Sequence, residues 1–396
     1  MTGPTDPDVF VVSAARTAIG ALLGSLADVP ATRLGAAAIA GALARAGLAA
    51  EHVGLTCMGN VLSAGVGQAP ARQAAIYAGV PHSVPALTVS KVCGSGLEAA
   101  IIGVRAIRAG DAEIAVVGGM ESMSQAPHLL PKARAGYRLG HGEVVDSMIR
   151  DGLWDPYGDF HMGEAAERCA QELGISRAAQ DAFARDSYER ARTSQRSGAS
   201  AQEIVGVSVA SKRGEIVVSE DEEPARGDLD KLDKLRPAFR TTGTITAGNA
   251  SKIDDGAAAL VLANAAACRA HALVPLARVV AYANHAQAPE QFPTAPVFAI
   301  DKALARARLS HAAIDLYEIN EAFAVVTLAC MRMAKLDHAN VNVRGGAVAL
   351  GHPIGASGAR ILTTLLFAMQ ERGSQRGLAT LCIGGGEANA LILERV

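Results

Sequence analysis

The amino-acid sequence predicts an α/β protein made of two copies of one helix–strand pattern, with a further segment inserted into the first copy. Three observations carry this. Ala42-Leu43-Ala44-Arg45-Ala46-Gly47-Leu48 leads into the strand-like Val53 to Asn60, and Ala303-Leu304-Ala305-Arg306-Ala307-Arg308-Leu309 leads likewise into Ile314 to Glu321. Gly94-Ser95-Gly96 opens an apolar helix to about Arg108, then Glu113-Ile114-Ala115-Val116-Val117 and a Gly118-Gly119 turn. Ala356-Ser357-Gly358 opens a helix to about Arg372, then Leu378-Ala379-Thr380-Leu381-Cys382 and a glycine turn. Third, the pattern stops between about Glu121 and Gly248. Apolar helices alternating with short apolar runs fit a mixed or parallel sheet covered by helices on both faces.

The intervening stretch has its own elements. Pro131 to Pro156 reads as loop, Gly163 to about Arg196 as charged helix, and Ser211 to Arg240 as a charged segment. Ile204 to Val209 and Glu215 to Val218 are expected to form a hairpin around Lys212-Arg213-Gly214. The expected domains are 1–120 plus 249–272 as the first half, 121–248 as an inserted loop domain, and 273–396 as the second half.

A chain of 396 residues is long enough for two or three buried cores. Half its residues are apolar and few are aromatic, so abundant Ala and Gly must pack elements closely. A formal charge of −2 argues against a nucleic-acid or membrane-surface binder. No uninterrupted apolar run reaches membrane-spanning length. The opening Met1-Thr2-Gly3-Pro4-Thr5-Asp6 lacks the basic and long apolar regions of a signal peptide. A cytoplasmic protein with no nucleic-acid or membrane partner is expected.

Six cysteines are scattered without the spacing of a zinc or redox motif. Cys57, Cys169, Cys268 and Cys330 lack a glycine setting and are expected to be core. Cys93, in Val92-Cys93-Gly94-Ser95-Gly96, and Cys382, in Cys382-Ile383-Gly384-Gly385-Gly386, are different. Glycines beside a thiol let substrate approach the backbone and free amides to bind an oxyanion. His352, in another glycine-rich loop, supplies the base that a thiol nucleophile needs. Cys93 falls at a strand-to-helix junction, where free amides and the helix dipole favour thiolate. The duplication brings Cys93, His352 and Cys382 together where the halves face each other. This pattern suggests acyl-thioester chemistry, one sulfur carrying the acyl group and the other moving a proton. Singly, each residue has a plainer reading: His352 as a loop histidine, Asn320 as a helix cap, the glycines as turns.

Four motifs together resemble the thiolase family over nearly the whole chain. Val92 to Gly96, Asn320-Glu321-Ala322-Phe323-Ala324, Gly351-His352-Pro353-Ile354-Gly355-Ala356-Ser357-Gly358 and Cys382 to Gly386 occur in that family's order. The resemblance implies a duplicated five-layered α/β/α/β/α fold with a loop domain over coenzyme A. It also implies that Cys93 is acylated with help from His352, and that Cys382 exchanges the α-proton of the second acyl group. Two oxyanion sites are implied: His352 with a water held by Asn320, and the amides of Cys93 and Gly384. The activity implied is interconversion of two acetyl-CoA with acetoacetyl-CoA and CoA, in a homotetramer without a covalently bound cofactor.

Further residues are matched through the same resemblance. His161 and Met162 line the pantetheine channel, Ser251 hydrogen-bonds pantetheine, and Arg226 and Lys231 lie near the nucleotide; these two cations read equally as a solvated charged face. Ala247, Phe292, Ala322 and Phe323 complete the substrate set. Phe292-Pro293-Thr294-Ala295-Pro296 is similar to the potassium-activated branch, where Tyr188, Ala247, Gly248, Ala250 and Val348 contribute to a potassium site, largely through carbonyls. One departure is Glu387-Ala388, where the family has an uncharged residue and then glycine: Glu387 either raises the pKa of Cys382 or pairs elsewhere. The alternatives are a degradative 3-ketoacyl-CoA thiolase for longer or branched chains, a decarboxylating ketoacyl synthase, and a non-enzymatic acyl-CoA binder. A doubly wound oxidoreductase would need a Gly-x-Gly-x-x-Gly fingerprint that is not clear here.

Overall fold

Two halves of one hydrogen-bonded sheet, alike in design, meet edge to edge in the computed structural model, which describes residues 8–211 and 214–396. The first contains β1 (Val9–Thr17), β2 (Leu55–Gly59), β3 (Ala86–Val89), β4 (Ile114–Ser122) and β5 (Asp254–Asn264). The second contains β6 (Ala277–Ala286), β7 (Leu316–Ile319), β8 (Arg376–Ile383) and β9 (Glu387–Arg395). The strands run in the order β3-β2-β4-β5-β1-β6-β9-β8-β7. In the first half β2 and β4 are parallel, β4 and β5 antiparallel, and β5 and β1 antiparallel. β7/β8, β8/β9 and β9/β6 repeat that sequence of pairings. The halves join where Phe10 and Val11 pair with Arg278 and Ala277.

Three apolar cores separate five layers. The helices α1 (Ala31–Ala46) and α2 (Pro70–Tyr77) bury Leu34, Ile39 and Ala74 against Val116, Met120 and Val261 on the outer face of the first sheet. The next helix, α3 (Ser95–Ala109), packs in the middle layer. The stretch that follows supplies α4 (Met162–Glu172) and α5 (Arg177–Arg196), split around Gly174. In the second half, α6 (Ala295–Ala307) buries Val297, Ile300 and Leu304 against Ile319, Leu378 and Ile392, and α7 (Ala324–Ala334) follows. Helix α8 (Ser357–Arg372) joins α3 in the middle: Leu97, Ile101, Ile361 and Leu365 fill the space between the inner faces carrying Val117, Leu262, Leu381 and Leu391. A single buried leucine-sized side chain contributes roughly 1.5–3 kcal/mol, so these cores hold the layers in register.

The middle helices start against each other. A Cβ on Gly96 would lie 2.7 Å from the Ala359 nitrogen, and one on Gly358 would lie 2.3 Å from the Leu97 nitrogen. Any side chain there would force the two helix starts apart.

Two expectations are corrected. Gly118 and Gly119 form no turn; they lie inside β4, which continues to Ser122. Their bare Cα positions admit neighbouring backbone, since added Cβ atoms would sit 2.2 Å from the Ala258 oxygen and 2.1 Å from the Gly355 oxygen. The hairpin is also shorter at its start. Ile204 and Val205 pair in parallel with Arg16 and Thr17 of β1, and only Val207–Ser211 pairs with Gly214–Val218. Lys212 and Arg213 at its tip, like the first seven residues, lie outside the described residues.

Among the described residues no helix is long and apolar enough to cross a membrane. Cys57, Cys169, Cys268 and Cys330 are buried and free.

Candidate active site

Cys93 lies two residues before the start of α3, and the residue ahead of it is strained. Val92 has φ +46°, a left-handed conformation that a β-branched residue rarely adopts. Ser95 holds the bend: its Oγ accepts from the Lys91 amide at 2.8 Å and donates to the Val92 carbonyl at 2.7 Å. The amides of Gly384 and of Cys93 itself act on the half-buried Cys93 thiol and favour its thiolate. Gly384 belongs to the turn between β8 and β9, so the two halves come together at the sulfur.

The free amides before α3 favour the Cys93 thiolate, but burial outweighs them. Burial pushes its pKa up to about 11, despite the two amide donors, and the Glu121 charge adds to the rise. Cys93 therefore holds its proton at neutral pH. Cys382, at the end of β8, is buried and also protonated. Burial raises its pKa well above the ordinary thiol value, and the neighbouring Cys93 charge raises it further.

His352 is buried in the loop before α8, and burial, then the Arg360 charge, lowers its pKa to about 3. It is a neutral imidazole. Its Nδ1 lies 2.5 Å from the Ser357 hydroxyl, which donates to the Pro353 carbonyl at 2.9 Å. With the hydroxyl proton so committed, the Nδ1–H donates to Ser357 and Nε2 keeps its lone pair. The Asn320 amide nitrogen is 3.5 Å from both ring nitrogens, and its carbonyl faces Arg360 Nη2 at 3.5 Å. Asn320 does not cap a helix: α7 starts at Ala324, after Phe323.

The residues matched to acyl and pantetheine binding divide into two groups. Met162, Phe292, Ala322, Phe323 and Cys382 share one buried cluster, with Phe239 and Ala250 packed on it. The Ser251 amide donates to the Ala322 carbonyl at 3.0 Å, seating the 249–251 strap over this cluster. His161 stacks on Phe239 at 4.7 Å, and its Nδ1 accepts from the Gly163 amide, capping α4. Ala247, just before that strap, is exposed. Arg226 and Lys231 are exposed and paired locally, Arg226 with Glu222 at 3.3 Å and Lys231 with Asp228 at 2.6 Å.

Glu387 pairs with the Lys91 ammonium, away from Cys382. Ala388 lies opposite Cys382 in the β8/β9 register and is buried.

The residues expected around potassium do not fit a free ion. The Lys252 ammonium donates to the Ala250 carbonyl at 3.0 Å and the Val348 carbonyl at 3.2 Å, and lies 5.6 Å from the centre of the Tyr188 ring. Gly248 is buried beside Leu232 and Leu235. Two unit charges about 4 Å apart at an effective dielectric near ~20 repel by about 4 kcal/mol, so ammonium and potassium exclude each other here. Burial lowers the Lys252 pKa to about 8, against the pull of Glu223, Asp254 and Glu321, and leaves it charged at pH 7.

The sequence reading passed over Val92, Ser95, Lys252 and Asp254. The alternation Ser251-Lys252-Ile253-Asp254 was a visible signal, because a strand entering a core rarely carries charges without partners for them.

The family model for the thiolase N-terminal domain matches residues 9–266, and that for the thiolase C-terminal domain matches 273–395. An acetyl-CoA acetyltransferase of Cupriavidus necator is 52% identical over 390 residues, covering 98% of this chain and 99% of the relative. The acetyl-CoA acetyltransferase of Escherichia coli is 52% identical over 388 residues, covering 98% of each chain. Acetyl-CoA acetyltransferase 2 of Arabidopsis thaliana is 50% identical over 390 residues, covering 98% of this chain and 97% of its own. The chain belongs to the thiolase family.

Proposed function

We propose that this protein is an acetyl-CoA acetyltransferase, which reversibly joins two acetyl-CoA into acetoacetyl-CoA and CoA through an acetyl group carried on Cys93. The observation that carries the reading is the Gly384 amide acting on Cys93, with Cys382 close enough for the Cys93 charge to raise its pKa. The names borne by full-length relatives support the same substrate.

In the thiolysis direction His352 Nε2 takes the Cys93 proton as the sulfur attacks the ketone of acetoacetyl-CoA. The amides of Cys93 and Gly384 receive the oxygen of the acyl group forming on that sulfur, and loss of one such donor costs about 3 kcal/mol of transition-state stabilisation. His352 and a water held by Asn320 receive the enolate oxygen of the departing acetyl-CoA. Cys382 protonates the enolate carbon. Across the step a carbon–carbon bond breaks and a carbon–sulfur bond forms. One proton passes from Cys93 to carbon by way of His352 and Cys382. The CoA thiol then attacks acetyl-Cys93, and its proton returns to Cys93. Condensation is the reverse, with Cys382 as the base.

Met162, Phe292, Ala322 and Phe323 form the acyl wall, and His161, Ala247 and Ser251 the pantetheine path, with Arg226 and Lys231 at the nucleotide end. The division into 1–120 with 249–272, 121–248 and 273–396 belongs to this reading. So does a cytoplasmic homotetramer; the exposed apolar Leu130, Tyr137, Leu139 and Val144 support a subunit contact.

Thiolysis of acetoacetyl-CoA, followed as loss of its ultraviolet absorbance on adding CoA, tests the reading. Activity in the parent and none in Cys93→Ala is expected. An inactive parent that still binds CoA would overturn it in favour of a longer or branched acyl group.

A further inference from the structure

We propose that Lys252 is a built-in cation that replaces an exchangeable monovalent ion and fixes the loop carrying His352, so that the activity needs no potassium. The inference rests on the acetyltransferase reading for its kinetic readout alone. Its basis is a cage with every wall accounted for. The ammonium donates to the Ala250 and Val348 carbonyls and lies near the ring of Tyr188. Glu223, Asp254 and Glu321 act on it with opposite charge and support the protonated ammonium, although burial pushes the pKa of Asp254 and of Glu321 up. Carbonyls, an aromatic face and acidic groups suit a weakly hydrated monovalent cation. Here that cation comes on a side chain, at the cost of one tether rather than a bound ion.

The cage is continuous with the catalytic loop. Glu321 accepts from the Val348 amide at 3.1 Å while Lys252 holds the Val348 carbonyl, so both polar ends of that residue are clamped. Four residues on, the His352 amide donates to the Lys252 carbonyl at 3.1 Å and to Asp254 Oδ2 at 2.9 Å. Lys252 thus grips the loop twice, by its ammonium at Val348 and by its backbone at His352. On the other side, its neighbour Ser251 is bonded to Ala322 beneath the acyl wall. Lys252 is a positioning residue: it sets His352 against the substrate strap without touching the reacting atoms.

The test compares the parent, Lys252→Gly and Lys252→Met in sodium, potassium, ammonium and choline chloride at matched ionic strength. Thiolysis and thermal melting are both read. The parent should show the same rate and melting temperature in all four salts. Lys252→Gly in choline should lose about ten- to a hundredfold in kcat through misplacement of His352, with KM for CoA changed less. Potassium or ammonium should restore its rate and raise its melting temperature saturably. Lys252→Met, which fills the space without charge, should show the loss without rescue. Potassium raising the parent's rate or melting temperature above the sodium value would overturn the proposal, as would a parent-like rate for either variant in choline. If Lys252→Gly fails to fold, the parent salt series and Lys252→Met still decide. A parent inactive on acetoacetyl-CoA would sink the functional reading, while the melting series would still report on the cation.

Discussion

The two halves share one order of strands but hold their sulfurs in opposite ways. Cys93 sits on a bend, behind a strained Val92, half-buried, with two amides aimed at it. Cys382 sits on regular strand, paired with Ala388 and sealed among Met162, Phe292 and Phe323. A nucleophile must reach a carbonyl and then carry the charge that develops there, so it belongs at a bend rich in free amides. A proton carrier has only to meet one carbon in a dry pocket that keeps its proton in place. The two sulfurs sit at non-equivalent places in the repeat, Cys93 ahead of α3 and Cys382 near the end of β8, and so meet different surroundings.

The largest effect that separates the two sulfurs is on turnover. Cys382→Ser should slow thiolysis on the order of a thousandfold, the scale of a lost general acid. Acetyl-CoA should still acetylate Cys93 in that variant, because His352 and the amides remain; intact-protein mass spectrometry reads the added acetyl group. If acetylation is lost along with turnover, the division of labour between the sulfurs fails.

A smaller effect concerns protonation. The raised pKa of Cys93 means that its thiol stays protonated below about 11. Alkylation of Cys93 by iodoacetamide should therefore climb about tenfold per pH unit from neutrality toward pH 10, as the thiolate fraction does. His352, already neutral above about 3, contributes no inflection in that range. A plateau near pH 8 would mean that the amides and helix start outweigh burial after all.

That burial outweighs the helix start also marks where the sequence stops being readable. The repeated motifs carried the alternation of helix and strand in both halves and the approach of Cys382 to Cys93, because each depends on local pattern copied in the same order. The Gly118-Gly119 turn failed because glycine marks both turns and close backbone approach, and only the neighbouring Ala258 and Gly355 carbonyls decide between them. Lys252 was legible only in part: Ser251-Lys252-Ile253-Asp254 signals charges that need partners, but local pattern does not say that the ammonium turns toward Val348, almost a hundred residues away. Net electrostatics depends on burial, which local pattern does not record.

The smallest expected effect tests how separately the two sulfurs are tuned. Glu387 lies five residues after Cys382, and its partner Lys91 lies two before Cys93, so their ion pair staples the nucleophile's bend to the strand beyond the glycine turn. Both side chains remain partly exposed, and such pairs contribute about 0–1 kcal/mol. Glu387→Gln should accordingly shift the unfolding free energy by less than about 1 kcal/mol, and high salt should shrink the difference. The groups raising the Cys382 pKa are burial and the neighbouring thiols, not Glu387. Removing this carboxylate should therefore leave the alkylation rate of Cys382 unchanged, measured in Cys93→Ala so that only the second sulfur reports. Faster alkylation would show that the carboxylate does act on Cys382, and that the pair with Lys91 restrains an effect the geometry hides.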